Sequence, residues 1–294
     1  MASAVLRDTL RDTVGFLRWR LVPVRKLGKL KNRLAGHSAP SIDADSARMD
    51  RDRLSEMETR GWTAAPAIEP ALLDEIRELY MPRGDDVVAT DTGHPFENIV
   101  QPDDFNADNP VFRLAFSDAI LGAANSYFDG AFSMASIQVM RSFPTDGDLR
   151  ESQKWHRDFG DAKSLHFIMY LSDVTEDRHG PFVFVDKQVS KRVKRSPIIR
   201  RLTDDQISGE IGSSDFETFH GRSGDAIFVD PAVCYHFGSR CKVPRTAVFI
   251  TFNTHVPYTE MMEPLGSHRV RAAAAAKQVR PDLSPEYIDS VLQV

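Results

Sequence analysis

Cysteine is nearly absent. Cys234 and Cys241 are the only two in 294 residues, too few for a disulfide framework or a cysteine-based zinc site, so a reducing compartment fits. No run approaches the roughly 18 apolar residues of a membrane span. The first residues lack the apolar core and small-residue cleavage site of a secretory signal. These absences make a cytosolic protein the expectation. Low-complexity sequence is also missing, apart from five consecutive alanines at 272–276. What is present is ordinary for a folded domain: 41% hydrophobic and 27% charged residues, enough to bury a core.

The net charge of −5 is unevenly spread. Between Met1 and Gly36 nine Lys and Arg face only Asp8 and Asp12, so that segment is +7 and the remainder −12. Apolar residues at Leu10, Val14, Leu17, Leu21 and Val24 follow a helical spacing interrupted by Pro23, opposite a basic face near Trp19. Three readings stand for this arm: an interfacial helix in peripheral contact with a membrane, a frayed basic arm, or a helix packed on the domain or a partner subunit. Gly36 to Ser46 reads as a linker. The expected organisation is a basic amphipathic arm and linker over 1–46, then one domain over 47–294.

Within that domain helical patterns come first. They cover Leu54 to Arg60 with Gly61 as its cap, Pro70 to Tyr80 with proline in the first turn, and Val111 to Phe128. Trp62 to Ile68 reads as a short strand. Period-two runs then follow at Ala131–Phe143, Leu165–Leu171, Pro181–Val185, Asp225–Val229 and Arg245–Phe252, separated by Gly, Asp and Pro. Helices are expected again over His268–Gln278 and after Ser284, a capping residue. Short strands after helices predict a mainly β, α+β domain, one sandwich or barrel with helices on its flank. Lys187 to Arg201 holds seven Lys and Arg without an acid and is expected to be an inserted loop or short helix.

The stretch with most chemical content is Trp155-His156-Arg157-Asp158. His156 and Asp158 are two apart, so in an extended chain both side chains project to one side. An imidazole and a carboxylate placed so can supply two ligands of a non-haem Fe(II) site. For the third ligand His236 is favoured over His220 and His255. It alone precedes, at hairpin distance, a strand headed by arginine, Arg245. A guanidinium fork there can grip a carboxylate beside a metal. His166 lies in an apolar run and reads as a hydrogen-bonded core residue. His94 and His179 read as loop residues, and Cys234 as a small packed thiol.

Trp155-His156-Arg157-Asp158, Gly180-Pro181-Phe182-Val183-Phe184-Val185, Gly224-Asp225, His236 and Arg245 together resemble the phytanoyl-CoA dioxygenase (PhyH) family of Fe(II)/2-oxoglutarate-dependent oxygenases. The likeness runs from about Leu54 to Phe252. It departs from the family where Asp186-Lys187-Gln188 stands in place of a Gly-Ser-His element. The resemblance implies a double-stranded β-helix (jelly roll, cupin-like) with His156, Asp158 and His236 as iron ligands. It implies that Arg245 binds the distal carboxylate of 2-oxoglutarate and that Gln138, Arg141 and Ser239 contact cosubstrate or substrate. It further implies O2 as co-reactant and hydroxylation of an unactivated C–H of a small or lipid-like metabolite, with succinate and CO2 released. Because Asp158 is retained, chloride is not expected to replace it.

Two alternatives stay open: the same centre performing desaturation, cyclisation or epimerisation, and a non-catalytic cupin-like binding or scaffold protein. The basic 187–201 segment has a bland reading as a solvated face and a functional one as a clamp for an anionic substrate. Nucleic acid is not an expected partner, since the rest of the domain is acidic and no aromatic platform interleaves the charges.

Overall fold

A computed structural model describes residues 27, 30, 34, 49–88, 94–145, 147–194 and 201–294. The basic arm, its proposed membrane contact and the linker therefore fall outside the described residues apart from those three isolated positions. So does the 195–200 part of the basic segment. No helix among the described residues is long and apolar enough to cross a membrane.

In chain order the elements are α1 (Arg51–Thr59), β1 (Trp62–Ala64), α2 (Pro70–Asp85), β2 (Phe96–Asn98), α3 (Pro110–Ala115) and α4 (Asp118–Phe128). They continue with β3 (Phe132–Ser142), β4 (Ser164–Tyr170), β5 (Phe182–Val185), α5 (Lys187–Ser190), α6 (Asp204–Ser208) and β6 (Phe216–Phe219). β7 (Ala226–Val229), β8 (His236–Phe237), β9 (Arg245–Thr254), α7 (Leu265–Val279) and α8 (Pro285–Leu292) complete the domain. The strands form a six-stranded sheet in the order β1-β7-β4-β9-β3-β2 and a three-stranded sheet in the order β6-β5-β8. Every pairing is antiparallel.

Alternation along the strands explains why these residues make two layers. In β4, Leu165, Phe167 and Met169 join a core cluster with the flanking helices. Ile168 and Tyr170, of opposite parity, join clusters between the sheets with Phe182, Phe184 and Ala247. β9 does the same: Val248, Ile250 and Phe252 face the helices, while Arg245, Ala247, Phe249, Thr251 and Asn253 share the other face. In β5, Phe182 and Phe184 point inward. Val183 and Val185 point outward onto Trp155, Leu202 and Ile207. The described part of the basic segment covers that outer face, with Val189 and Val193 packed into it.

Several boundaries differ from the sequence expectation. The single helix expected over Val111–Phe128 is two, broken at Phe116 and Ser117, where Ser117 takes the extended backbone of an N-cap. The first strand stops at Ala64. α2 runs on to Asp85 with Pro82 inside it, and β2 and β6 were not anticipated. The C-terminal helices are integral: Leu265, Ala272, Ala276, Tyr287, Ile288 and Leu292 all lie in the main core.

Gly61 has φ of +81°, and a Cβ there would lie 2.7 Å from Cys234 Sγ. That close approach joins the end of α1 to the segment leading into β8. Cys234 is thus a packed thiol against the Arg60 and Gly61 carbonyls.

Candidate metal centre

The first site segment is held by a short antiparallel bridge. His156 N donates to His236 O and His236 N to His156 O, both at 2.9 Å, so the two residues sit directly opposite one another. Their ring centroids are 4.2 Å apart. The chain then turns, and Asp158 N donates to Pro231 O at 2.9 Å while Arg157 Nε donates to Ala232 O at 2.8 Å. Asp230 fixes that loop from beneath. Its carboxylate is buried and accepts from the Tyr127 hydroxyl at 2.7 Å and from Ala232 N at 2.9 Å.

The result brings His156, Asp158 and His236 together, with one ligand atom from each within 4.8 Å of the others. His156 Nε2 is 3.6 Å and His236 Nε2 3.8 Å from Asp158 Oδ1. Each Nδ1 faces a backbone carbonyl, Lys154 O at 2.8 Å and Cys234 O at 3.1 Å. A donor role for Nδ1 leaves the Nε2 lone pair of both rings directed at the shared point. Burial, with the neighbouring His236, pushes the His156 pKa down to about 3 against the pull of Asp158. Burial pushes His236 down to about 3 as well. Both rings are neutral near pH 7, the form that ligates a metal.

Arg245, at the mouth of β9, is 2% exposed. Its Nε and Nη1 have no hydrogen-bond partner among the described residues, and no carboxylate pairs with it there. Its Cζ lies 5.5 Å over the Tyr170 ring. A buried guanidinium with open donors is costly unless a ligand completes it, so the chain fits a group that brings a carboxylate to this spot. Two imidazoles, one carboxylate and an incompletely paired guanidinium are a donor set suited to a divalent iron and a chelating oxo-acid.

The remaining predicted residues divide. Gln138 lines a cavity of about 360 Å3 that also includes Asp158 and His166. Ser239, at φ +60°, bonds Ser142 Oγ at 3.0 Å. Ser142 is the register partner of Arg245, and Gly238 abuts the guanidinium. Arg141 is not brought to the centre. It shares the parity of Ile137 and Val139, which face the helices, and bonds Asp85 at 2.7 Å and Thr246 Oγ1 at 3.0 Å.

His166 corrects a reading of the sequence. Alternation turns it toward the cavity, and its Nε2 is 3.5 Å from Asp158 Oδ2. Burial holds its pKa below the usual histidine value, opposed by Asp158. Thr251 and Asn253 also line the cavity. Their parity with Arg245 was the available signal. His220 is exposed beside Asp177, and His255 pairs its backbone N with Ala131 O, so neither rival histidine belongs to the cluster.

No family model matches the chain, and no curated protein matches it. Solved structures do. HygX from Streptomyces hygroscopicus, with nickel and 2-oxoglutarate bound, aligns at a TM-score of 0.50 and 16% identity over 70% of this chain and 88% of that one. EctD from S. alaskensis, with bound Fe, aligns at 0.50 and 15% over 77% and 83%. The epimerase SnoN, in complex with Fe3+, alpha ketoglutarate and nogalamycin RO, aligns at 0.50 and 15% over 70% and 84%. At such identities the likeness is one of fold. The class is the double-stranded β-helix, mostly antiparallel sheet with flanking helices.

Proposed function

We propose that this chain is an Fe(II)- and 2-oxoglutarate-dependent oxygenase of the kind the PhyH family represents, acting on a small molecule. The observation that carries the reading is the convergence of His156, Asp158 and His236 within 4.8 Å on the same sheet system that buries Arg245 with its Nε and Nη1 unpaired among the described residues.

Bound there, iron and 2-oxoglutarate supply the oxidation of a C–H bond by O2, giving an alcohol, succinate and CO2. The chain's own residues account for the rest. His156 and His236 offer neutral Nε2 atoms, with tautomer set by the two carbonyls. Asp158 supplies the negative ligand. Arg245 takes the far carboxylate of 2-oxoglutarate, and Ser239 with Ser142 lies beside it. Gln138 and His166 border the space left for substrate. Arg141, bonded to Asp85 on the other face of the sheet, has no part in this reading.

The test is succinate release from purified protein given Fe(II), ascorbate and 2-oxoglutarate. His156→Ala and Asp158→Ala are each expected to lose tight iron binding and reduce turnover to background. If both retain wild-type iron affinity and turnover, the assignment is wrong. A protein without stoichiometric metal affinity is the scaffold alternative. Product mass then sorts the outcomes: a gain of one oxygen marks hydroxylation, and loss of two hydrogens or no mass change marks the alternatives.

A further inference from the structure

The 360 Å3 cavity beside Asp158 has a size suited to a small-molecule ligand, and its lining limits the chemistry of that ligand. No lysine or arginine lines it among the described residues; the charged lining residues are Asp158 and Glu260. Four described cations of the basic segment are engaged elsewhere, Lys191 with Gln188 Oε1 at 2.7 Å among them. Lys187 Nζ donates to Glu58 O at 2.7 Å, Arg192 pairs with Asp215 at 2.9 Å, and Arg201 with Glu151 at 2.6 Å. A phosphate-bearing or thioester-linked acid would meet no countercharge in this cavity.

Some hydrogen-bonding groups in the lining are committed, Ser164 Oγ to Asn253 and Thr259 Oγ1 to the Gly160 carbonyl, and others are open. The Gln138 amide, the Thr251 hydroxyl and the Glu260 carboxylate have no hydrogen-bond partner among the described residues. Asn253 accepts from Ser164 Oγ at 2.7 Å through Oδ1, which leaves its amide N–H pair free. Gly160 lets Thr259 approach this wall closely, since a Cβ there would lie 3.2 Å from Thr259 Oγ1. An acyl chain would strip water from these groups and return no bond. Phe249, Phe159 and Met262 provide the apolar part of the same wall, against which the C–H face of a ring can lie.

We infer that the substrate is a hydroxylated ring compound, neutral or bearing an amine, rather than a lipid or an anionic thioester. This rests on the oxygenase reading only in taking the space beside Asp158 for the substrate's place. Thr251, Asn253 and Gln138 bond its hydroxyls, and Glu260, exposed at the rim, receives the amine.

Binding to the full-length protein is measured by ligand-observed NMR with methyl glucosaminide, its N-acetyl derivative and octanoyl-coenzyme A. The glucosaminide is expected to bind at least about tenfold tighter than octanoyl-coenzyme A. Glu260→Gln is expected to erode the preference for the free amine over the N-acetyl form severalfold, and its exposed position spares the fold. Thr251→Val is expected to weaken both glycosides about tenfold. Octanoyl-coenzyme A binding as tightly as the glycosides, or no binding of either glycoside, overturns the inference. Succinate assays on the same protein keep the two readings apart. Glycoside binding without any iron-dependent succinate sinks the oxygenase reading alone; succinate formation without glycoside binding sinks this one alone.

Discussion

The two faces of the six-stranded sheet are built from the same strands and do opposite things. Toward the helices β4 and β9 present Leu165, Phe167, Met169, Val248, Ile250 and Phe252, all at most 1% exposed. Toward the smaller sheet the same strands carry His166, Arg245, Thr251 and Asn253. The first face stabilises by burying apolar surface. The second encloses polar and charged groups whose hydrogen-bonding capacity the protein meets only in part. One face supplies the stability that the other spends.

Truncating the apolar face has the largest expected effect on folding. Phe252, fully buried and edge-on to Phe132 at 5.6 Å, should cost about 3–5 kcal/mol when replaced by alanine. Denaturant melts check this, and iron affinity per folded molecule should be unchanged.

The cavity face should respond with the opposite sign. Arg245→Met removes a buried, incompletely paired guanidinium and is expected to stabilise the ligand-free protein by about 1 kcal/mol or more. The same variant should raise the KM for 2-oxoglutarate about 100-fold. A melt and a cosubstrate titration together decide it, because a merely structural arginine would lower stability.

Asp161 extends the comparison to pH. It is fully buried, accepting from Thr254 N at 2.8 Å and Ala162 N at 2.6 Å, and burial raises its pKa to about 7 despite those bonds. The folded chain therefore keeps a proton that the unfolded chain releases above about pH 4. Its contribution to stability falls from about pH 4 to 7, by up to roughly 1 kcal/mol per unit, and is level above. His156 and His236, with pKa values pushed down, tilt the profile the other way over about pH 3 to 6. The wild-type minus Asp161→Asn difference isolates the carboxyl: stability should move in favour of the variant as pH rises to 7, and a flat difference refutes it.

The smallest effect is expected at Arg141. Its partner Asp85 has a side chain 66% exposed, so Arg141→Ala should cost less than about 1 kcal/mol. It should leave the KM for 2-oxoglutarate within about twofold.

Much of this division was legible in the sequence. Period two in Leu165–Leu171 and Arg245–Phe252 identified the strands, and His156, Asp158 and His236, chosen from residue type and order, are the three that the fold brings within 4.8 Å. The misplacements have physical causes. Arg141 looks apt by type, but an odd-numbered position on β3 turns it to the helices. His166 looked like core because its neighbours are apolar; those neighbours belong to the opposite face. β2 and β6 are three and four residues long, too short for alternation to register, and depend on pairing with β3 and β5. The expected long helix is interrupted where Ser117 takes an extended backbone, without a capping bond from its hydroxyl, a break that the continuous apolar pattern does not show.

The reciprocal backbone bonds between His156 and His236 have a consequence for how the molecule opens. The atoms that fasten the smaller sheet to the 155–156 segment belong to the residues whose rings converge below. A cation gripping both rings would thus rivet the open end of the sandwich, adding stability in proportion to the logarithm of its concentration over its dissociation constant. Chelation should make the amides of these two residues among the first to exchange with solvent deuterium, well ahead of the strands that face the helices.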